Sequence, residues 1–163
     1  MRLVEECQIV GGISPIDLND GANAGDWVSM KNYNHCTIIL YCAVGTAGSD
    51  PVITLDQATA VDGTDTKALN VTEIYHKVST LLTTTSVFTR VTQTAADGYD
   101  SDPIAGGETE NIIVIEVDRD QLDTDNDFDC LQADVAQMGA AKHGCVLYIL
   151  SEPRYTGSDA IAD

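Results

Sequence analysis

The stretch that decides the fold is His35-Cys36-Thr37-Ile38-Ile39-Leu40-Tyr41-Cys42. Successive side chains of an extended chain point to opposite faces. Cys36, Ile38, Leu40 and Cys42 therefore share one face, and Thr37, Ile39 and Tyr41 the other. The run is rich in β-branched and aromatic residues and lacks Gly and Pro. It predicts a strand that is at least partly covered on both sides.

Working outward, Asn111 to Asp118 is apolar in its middle and then sets Val117 against Glu116 and Asp118, as a strand emerging into water does. Cys145 to Leu150 predicts a third buried strand. Val4 to Val10, Val52 to Leu55, Leu69 to Tyr75 and Val87 to Thr92 are weaker strand candidates. Breaker-rich stretches separate them at Asn19–Gly25, Gly45–Asp50, Asp62–Asp65, Asp97–Gly107 and Met138–Gly144. One segment is ambiguous: Ile74, Val78, Leu81 and Leu82 carry helical spacing, so Glu73 to Leu82 reads as a strand or as a short helix. Many short strands with few helical patterns predict an all-β fold. The expectation is one domain over 1–163, an antiparallel β-sandwich or jelly-roll-like barrel with long loops.

Composition narrows the partners. Eight Lys and Arg stand against 26 Asp and Glu in 163 residues, a net charge of −18. With 44% hydrophobic residues, this is the composition of a globular domain and not of an acidic disordered tail. Nucleic-acid affinity depends on clustered Lys and Arg, and anionic membranes repel acid, so neither partner is expected. The acid is uneven: Asp97 to Asp134 holds thirteen Asp and Glu against the single Arg119, a local charge of −12. Such a density is solvated, paired with cations or matched to a basic surface.

Glu5 and Glu6 interrupt the only place where a signal h-region would begin, so no secretory signal is expected. The cysteines (Cys7, Cys36, Cys42, Cys130 and Cys145) are odd in number and form no CxxC pair, which predicts reduced, buried thiols.

The sharpest chemical constellation is Asp123-Thr124-Asp125-Asn126-Asp127-Phe128-Asp129. Alternating carboxylates resemble the start of a Ca²⁺ loop, because hard cations need converging oxygens. Here the sixth position holds Phe128 where the EF-hand needs Gly, and the twelfth holds Asp134 where it needs Glu. Asp123, Asp125, Asp127 and Asp129 are thus a weak metal candidate. A solvated turn anchored by Phe128 is the preferred account, and no metal or other cofactor is expected.

His35, His76 and His143 are scattered, and no nucleophile elbow, phosphate loop, dinucleotide fingerprint or zinc-protease motif occurs. No enzyme is expected. His143 and Cys145 offer two soft ligands without evident partners for a structural zinc site. Trp27, Met30, Tyr33 and Phe128 are candidate packing or interface anchors.

From Gly25-Asp26-Trp27-Val28-Ser29-Met30-Lys31-Asn32-Tyr33-Asn34-His35 onward, the sequence resembles small structural proteins of tailed bacteriophages and prophages. The resemblance continues through Thr54-Leu55-Asp56-Gln57-Ala58, Val61-Asp62-Gly63-Thr64 and Lys67-Ala68-Leu69. It returns at Asn126-Asp127-Phe128-Asp129-Cys130 and ends at Leu147-Tyr148-Ile149-Leu150-Ser151-Glu152-Pro153-Arg154-Tyr155.

The resemblance implies a capsid decoration or cement protein on the outer surface of the virion, assembled in the host cytoplasm. It also implies as partners the major capsid protein and copies of itself, commonly as a trimer. Segments 1–20 and 156–163 are candidate extended arms, with frayed ends as the plainer alternative. The alternatives in function are a neck, head-completion or tail component, and a Ca²⁺-dependent surface-binding module.

Overall fold

The computed structural model describes residues 3–79, 87–101 and 108–155. A single helical turn, α1 (Leu3–Glu6), precedes eleven strands. These are β1 (Gln8–Asp17), β2 (Val28–Ser29), β3 (Tyr33–Cys42), β4 (Val52–Ala58), β5 (Lys67–Ala68) and β6 (Val71–Ser79), followed by β7 (Thr89–Ala96), β8 (Gly98–Asp100), β9 (Glu110–Asp118), β10 (Cys130–Val135) and β11 (His143–Pro153). Short 3₁₀ turns at Arg119–Gln121 and Thr124–Asn126 lie between β9 and β10.

Two antiparallel sheets pack face to face. The first, sheet A, has six strands in the order β1-β11-β3-β9-β6-β7. The second, sheet B, runs β2-β10-β4-β5, with β8 also paired to β4. β5 lies along the C-terminal half of β4 and β8 along its N-terminal half. This is a β-sandwich; the barrel alternative falls away because neither sheet closes.

The period-two pattern of β3 explains its central place. Cys36, Ile38, Leu40 and Cys42 are fully buried, and the registered neighbours Tyr148 on β11 and Ile115 on β9 flank Ile38 on the same face. Sheet B meets them with Ile53, Leu55, Leu131, Ala133 and Val135, all at 1% exposure or less. Each fully buried aliphatic side chain contributes about 1.5–3 kcal/mol relative to exposure, so this shared layer dominates the stability.

The segment Glu73 to Ser79 is strand and not helix. Ile74 and His76 point inward while Glu73, Tyr75 and Lys77 lie on the other face. Ile74 and Val78 stand four residues apart, a spacing that fits one face of a strand as well as one face of a helix, so it does not separate the two readings. Residues 80–82 of that reading lie outside the described residues.

The N-terminal candidates are also revised. Val4 to Val10 divides into α1 and the start of β1. Within the proposed arm 1–20, Gln8–Asp17 forms the edge of sheet A, paired along its length with β11. Its two register shifts fall between Gly11 and Ile13 and between Ile13 and Ile16. There the chain bends around the Tyr148 ring: a Cβ added to Gly12 would lie 2.7 Å from Tyr148 Cε2. The other proposed arm, 156–163, lies outside the described residues.

Candidate interaction face

Because sheet A packs with one face on sheet B, its other face is turned outward. The alternation that buries Cys36, Ile38 and Leu40 places His35, Thr37, Ile39 and Tyr41 outside. Register then aligns Gly11, Leu147, Ile39, Val114 and Tyr75 as one row across β1, β11, β3, β9 and β6. No member of that row is charged until it reaches Arg90, which registers with Tyr75 on β7. A parallel row brings Ile9 beside Ile149 and then Thr37, and a third brings Cys145 beside Tyr41 and Ile112. Ile9, Tyr41 and Leu147 are 42%, 39% and 39% exposed, so the covering predicted for this side of β3 is only partial. Near its β7 edge, Tyr75, Phe88, Val114 and Glu116 line a recess of about 270 Å³.

Charge gathers at the ends of this face. At one end the His35 ring lies between two carboxylates, Nδ1 2.7 Å from Asp118 and Nε2 2.7 Å from Glu116. The Thr37 hydroxyl donates to the same Glu116 oxygen at 2.6 Å. Burial opposes protonation of the ring, but the hydrogen bonds to Asp118 and Glu116 and the charges of both acids outweigh it and raise the His35 pKa. Nearer β7, Arg90 pairs with Glu73.

Sheet B presents a different outer surface. Thr54, Asp56, Gln132 and Asp134 occupy its outward positions, with Gln132 opposite Asp56 and Asp134 opposite Thr54. Burial raises the Asp56 pKa, and the neighbouring charges of Asp134 and Asp97 add to it. The acidic turn Asp123–Asp129 adjoins this sheet, Asp123 pairing with Lys67 on β5 and its N–H donating to the Gln57 side chain on β4.

The alternating carboxylates do not converge. Asp123 accepts hydrogen bonds from the Lys67 ammonium and the Asn126 amide, in that order the causes of its lowered pKa. Asp127 occupies a left-handed conformation (φ 64°) closing the Thr124–Asn126 turn, and Asp125 is exposed. Among the described residues, no group of three or more His, Cys, Asp and Glu side chains is placed to hold a metal ion. The run is a turn, pinned by Phe128 at 8% exposure beneath the Lys67 ammonium, which lies 3.8 Å from the ring centroid.

The proposed anchors divide. Met30, Tyr33 and Phe128 are 0%, 5% and 8% exposed and pack within the chain. Trp27 is half-buried against the loop after β4. Its indole stands where a Cβ on Gly63 would lie 3.0 Å from Nε1, and Gly63 also adopts φ 79°, so glycine serves both the turn and the contact.

Sequence reasoning missed a buried polar chain at one end of the sandwich. Asn111 donates through Nδ2 to the Thr109 carbonyl at 2.9 Å, leaving its oxygen to face His76 Nε2 at 3.1 Å. His76 therefore donates from Nε2 and accepts at Nδ1 from the Tyr99 hydroxyl, 3.0 Å away. Burial lowers the His76 pKa and keeps this neutral form. Lys142, 1% exposed, donates to the same Thr109 carbonyl at 2.8 Å. These groups are satisfied by one another, and their place is structural. No signal in the sequence separates such a histidine from a surface one, because its partners come from β8 and β9.

No protein-family model matches the chain, and no curated protein matches it.

Proposed function

We propose that this chain is a virion structural protein that binds and stabilises the outer surface of a phage capsid through protein–protein contacts. The observation that carries the proposal is the pair of long outer strands of sheet A. β1 and β7 each have one partner strand among the described residues, β11 and β6 respectively. A strand edge offers a row of backbone donors and acceptors, and an extended segment of a neighbouring protein adds to it without any reactive group. Two such edges on one body suit a clamp that bridges neighbouring shell subunits.

The charge distribution supports the same arrangement. A protein of −18 facing packaged DNA is repelled, whereas on the outer surface its acids stay hydrated and oppose aggregation. The resemblance that begins at Gly25 points to the same location. The major capsid protein and further copies of this chain are the partners of this proposal.

Co-sedimentation with purified shells tests it. The chain is expected to pellet with expanded shells, at a copy number set by the shell lattice, and not with unexpanded ones. Absence from purified particles overturns the proposal, and a single ring of copies at one vertex assigns the chain to the neck instead.

A further inference from the structure

We infer that two copies of this chain associate through the outer face of sheet A, packing sheet against sheet about a twofold axis. The inference does not rest on the capsid proposal; it follows from where the molecule carries charge and where it does not.

At −18 per copy, association is unfavourable wherever carboxylates meet carboxylates. The acidic turn and the outward row of sheet B are closed to a second copy on that ground. Sheet A is different: its central row from Leu147 through Ile39 and Val114 to Tyr75 is uncharged across four strands and meets a charge only at the β7 edge, where Arg90 registers with Tyr75. Its charges lie toward the ends of the strands: Glu116 and Asp118 share the His35 ring at one end, Glu110 accepts from the Tyr41 hydroxyl and Lys77 registers with Ile112 toward the other, and Glu73 is paired with Arg90. Face-to-face packing of this surface keeps the two acidic sheets on opposite outer sides of the dimer. Repulsion then acts across the thickness of both sandwiches, well beyond a Debye length of about 8 Å at physiological salt.

Area is sufficient. Six strands at about 4.8 Å spacing span roughly 24 Å, and strands of this length run roughly 30 Å, so the face covers about 700 Å². Specific, stable interfaces take about 600–1,000 Å² from each partner, a range that includes this face. Identical twisted sheets pack in the aligned mode, about 30° apart, with the two central rows interdigitating.

Sedimentation of the purified full chain, with maleimide labelling of Cys145, tests the inference. Cys145 lies on this face beside Tyr41 and is the cysteine of the five that is not buried. The expected result is a concentration-dependent dimer that tightens as salt rises, because screening relieves repulsion between like-charged copies. The Cys145 labelling rate falls several-fold on dimerisation. Leu147→Glu or Ile39→Glu raises the dissociation constant at least tenfold, whereas Val61→Glu, which adds the same charge on an exposed loop away from the face, leaves it unchanged.

A wild-type chain that stays monomeric at all salt concentrations overturns the inference. So does a dimer in which Cys145 labels at the monomer rate, since that dimer uses an edge or another face. A surface that instead serves a basic partner gives a monomer alone and a complex that weakens with salt. If a face variant fails to fold by far-UV circular dichroism, the labelling of the wild-type chain decides. Because only purified chain is used, failure here leaves the shell co-sedimentation outcome untouched.

Discussion

The Tyr148 hydroxyl of β11 lies 2.9 Å from the Ala133 backbone nitrogen of β10 and accepts its hydrogen, tying sheet A to sheet B through the middle of the core. The same hydroxyl donates to the Asp26 carbonyl at 3.0 Å, so one side chain holds both sheets and the loop before β2. Tyr148→Phe keeps the ring and removes both bonds, stranding a buried N–H. A loss of about 1–3 kcal/mol is expected, read as a lower urea midpoint at unchanged slope. Gly12→Ala adds a methyl group where the Tyr148 ring already lies and should destabilise the chain without removing any hydrogen bond.

His35 and His76 make stability depend on pH in opposite directions. The folded His35 pKa is raised above the ordinary 6.5, so its contribution is complete below that value and is lost as pH rises through the folded one. The folded His76 pKa is lowered, so its contribution is complete above 6.5 and is lost as pH falls toward the folded value. His35→Asn should flatten the alkaline limb of urea midpoint against pH, and His76→Asn the acidic limb. Two-dimensional NMR of the imidazole signals would show the two titrations on opposite sides of 6.5.

Calcium should do nothing to folding. The Asp123 carboxylate is taken up by Lys67 and Asn126 and the carboxylates of Asp125, Asp127 and Asp129 do not converge on it, so neither millimolar Ca²⁺ nor a chelator should move the melting temperature by more than about 1 °C. Phe128→Ala, by contrast, empties the space beneath Lys67 and should cost about 3–5 kcal/mol, as other buried aromatic truncations do. A large stabilisation by Ca²⁺ in a thermal scan would refute the turn assignment.

Thiol chemistry should be selective. Burial pushes the Cys42 and Cys130 thiols up to about 12 and raises the others as well. Under native conditions at neutral pH, a thiol reagent should modify Cys145 first and slowly, with Cys7, Cys36, Cys42 and Cys130 reacting only after denaturation. Mass spectrometry of the labelled chain identifies the modified site.

Strands whose neighbours keep a strict two-residue alternation were legible in the sequence: β3, β9 and β11 follow directly from their apolar faces. β6 was not, because Ile74 and Val78, four residues apart, share one face of a strand and one face of a helix alike. The packing of Met30, Tyr33 and Phe128 was legible as apolar demand, but only the three-dimensional neighbours distinguish core from interface. The dense acid of Asp97–Asp134 looked like one feature along the chain. Folding divides it, sending Glu116 and Asp118 to the outer face of sheet A and Asp134 to that of sheet B. Sheet order is equally hidden, since it is set by contacts between residues far apart in sequence.

The position of β11 has a consequence for biosynthesis. β11 lies between β1 and β3, so among the described strands β1 has no neighbour in sheet A until His143–Pro153 leaves the ribosome. Until then one side of β3 is open and the space of Tyr148 is unfilled, and the nascent chain carries sticky strand edges. Loop closure over this separation is slow, as it is for other sandwiches dominated by distant pairings. Completion of the sandwich therefore waits for β11, and chains halted before it are substrates for chaperones or for aggregation.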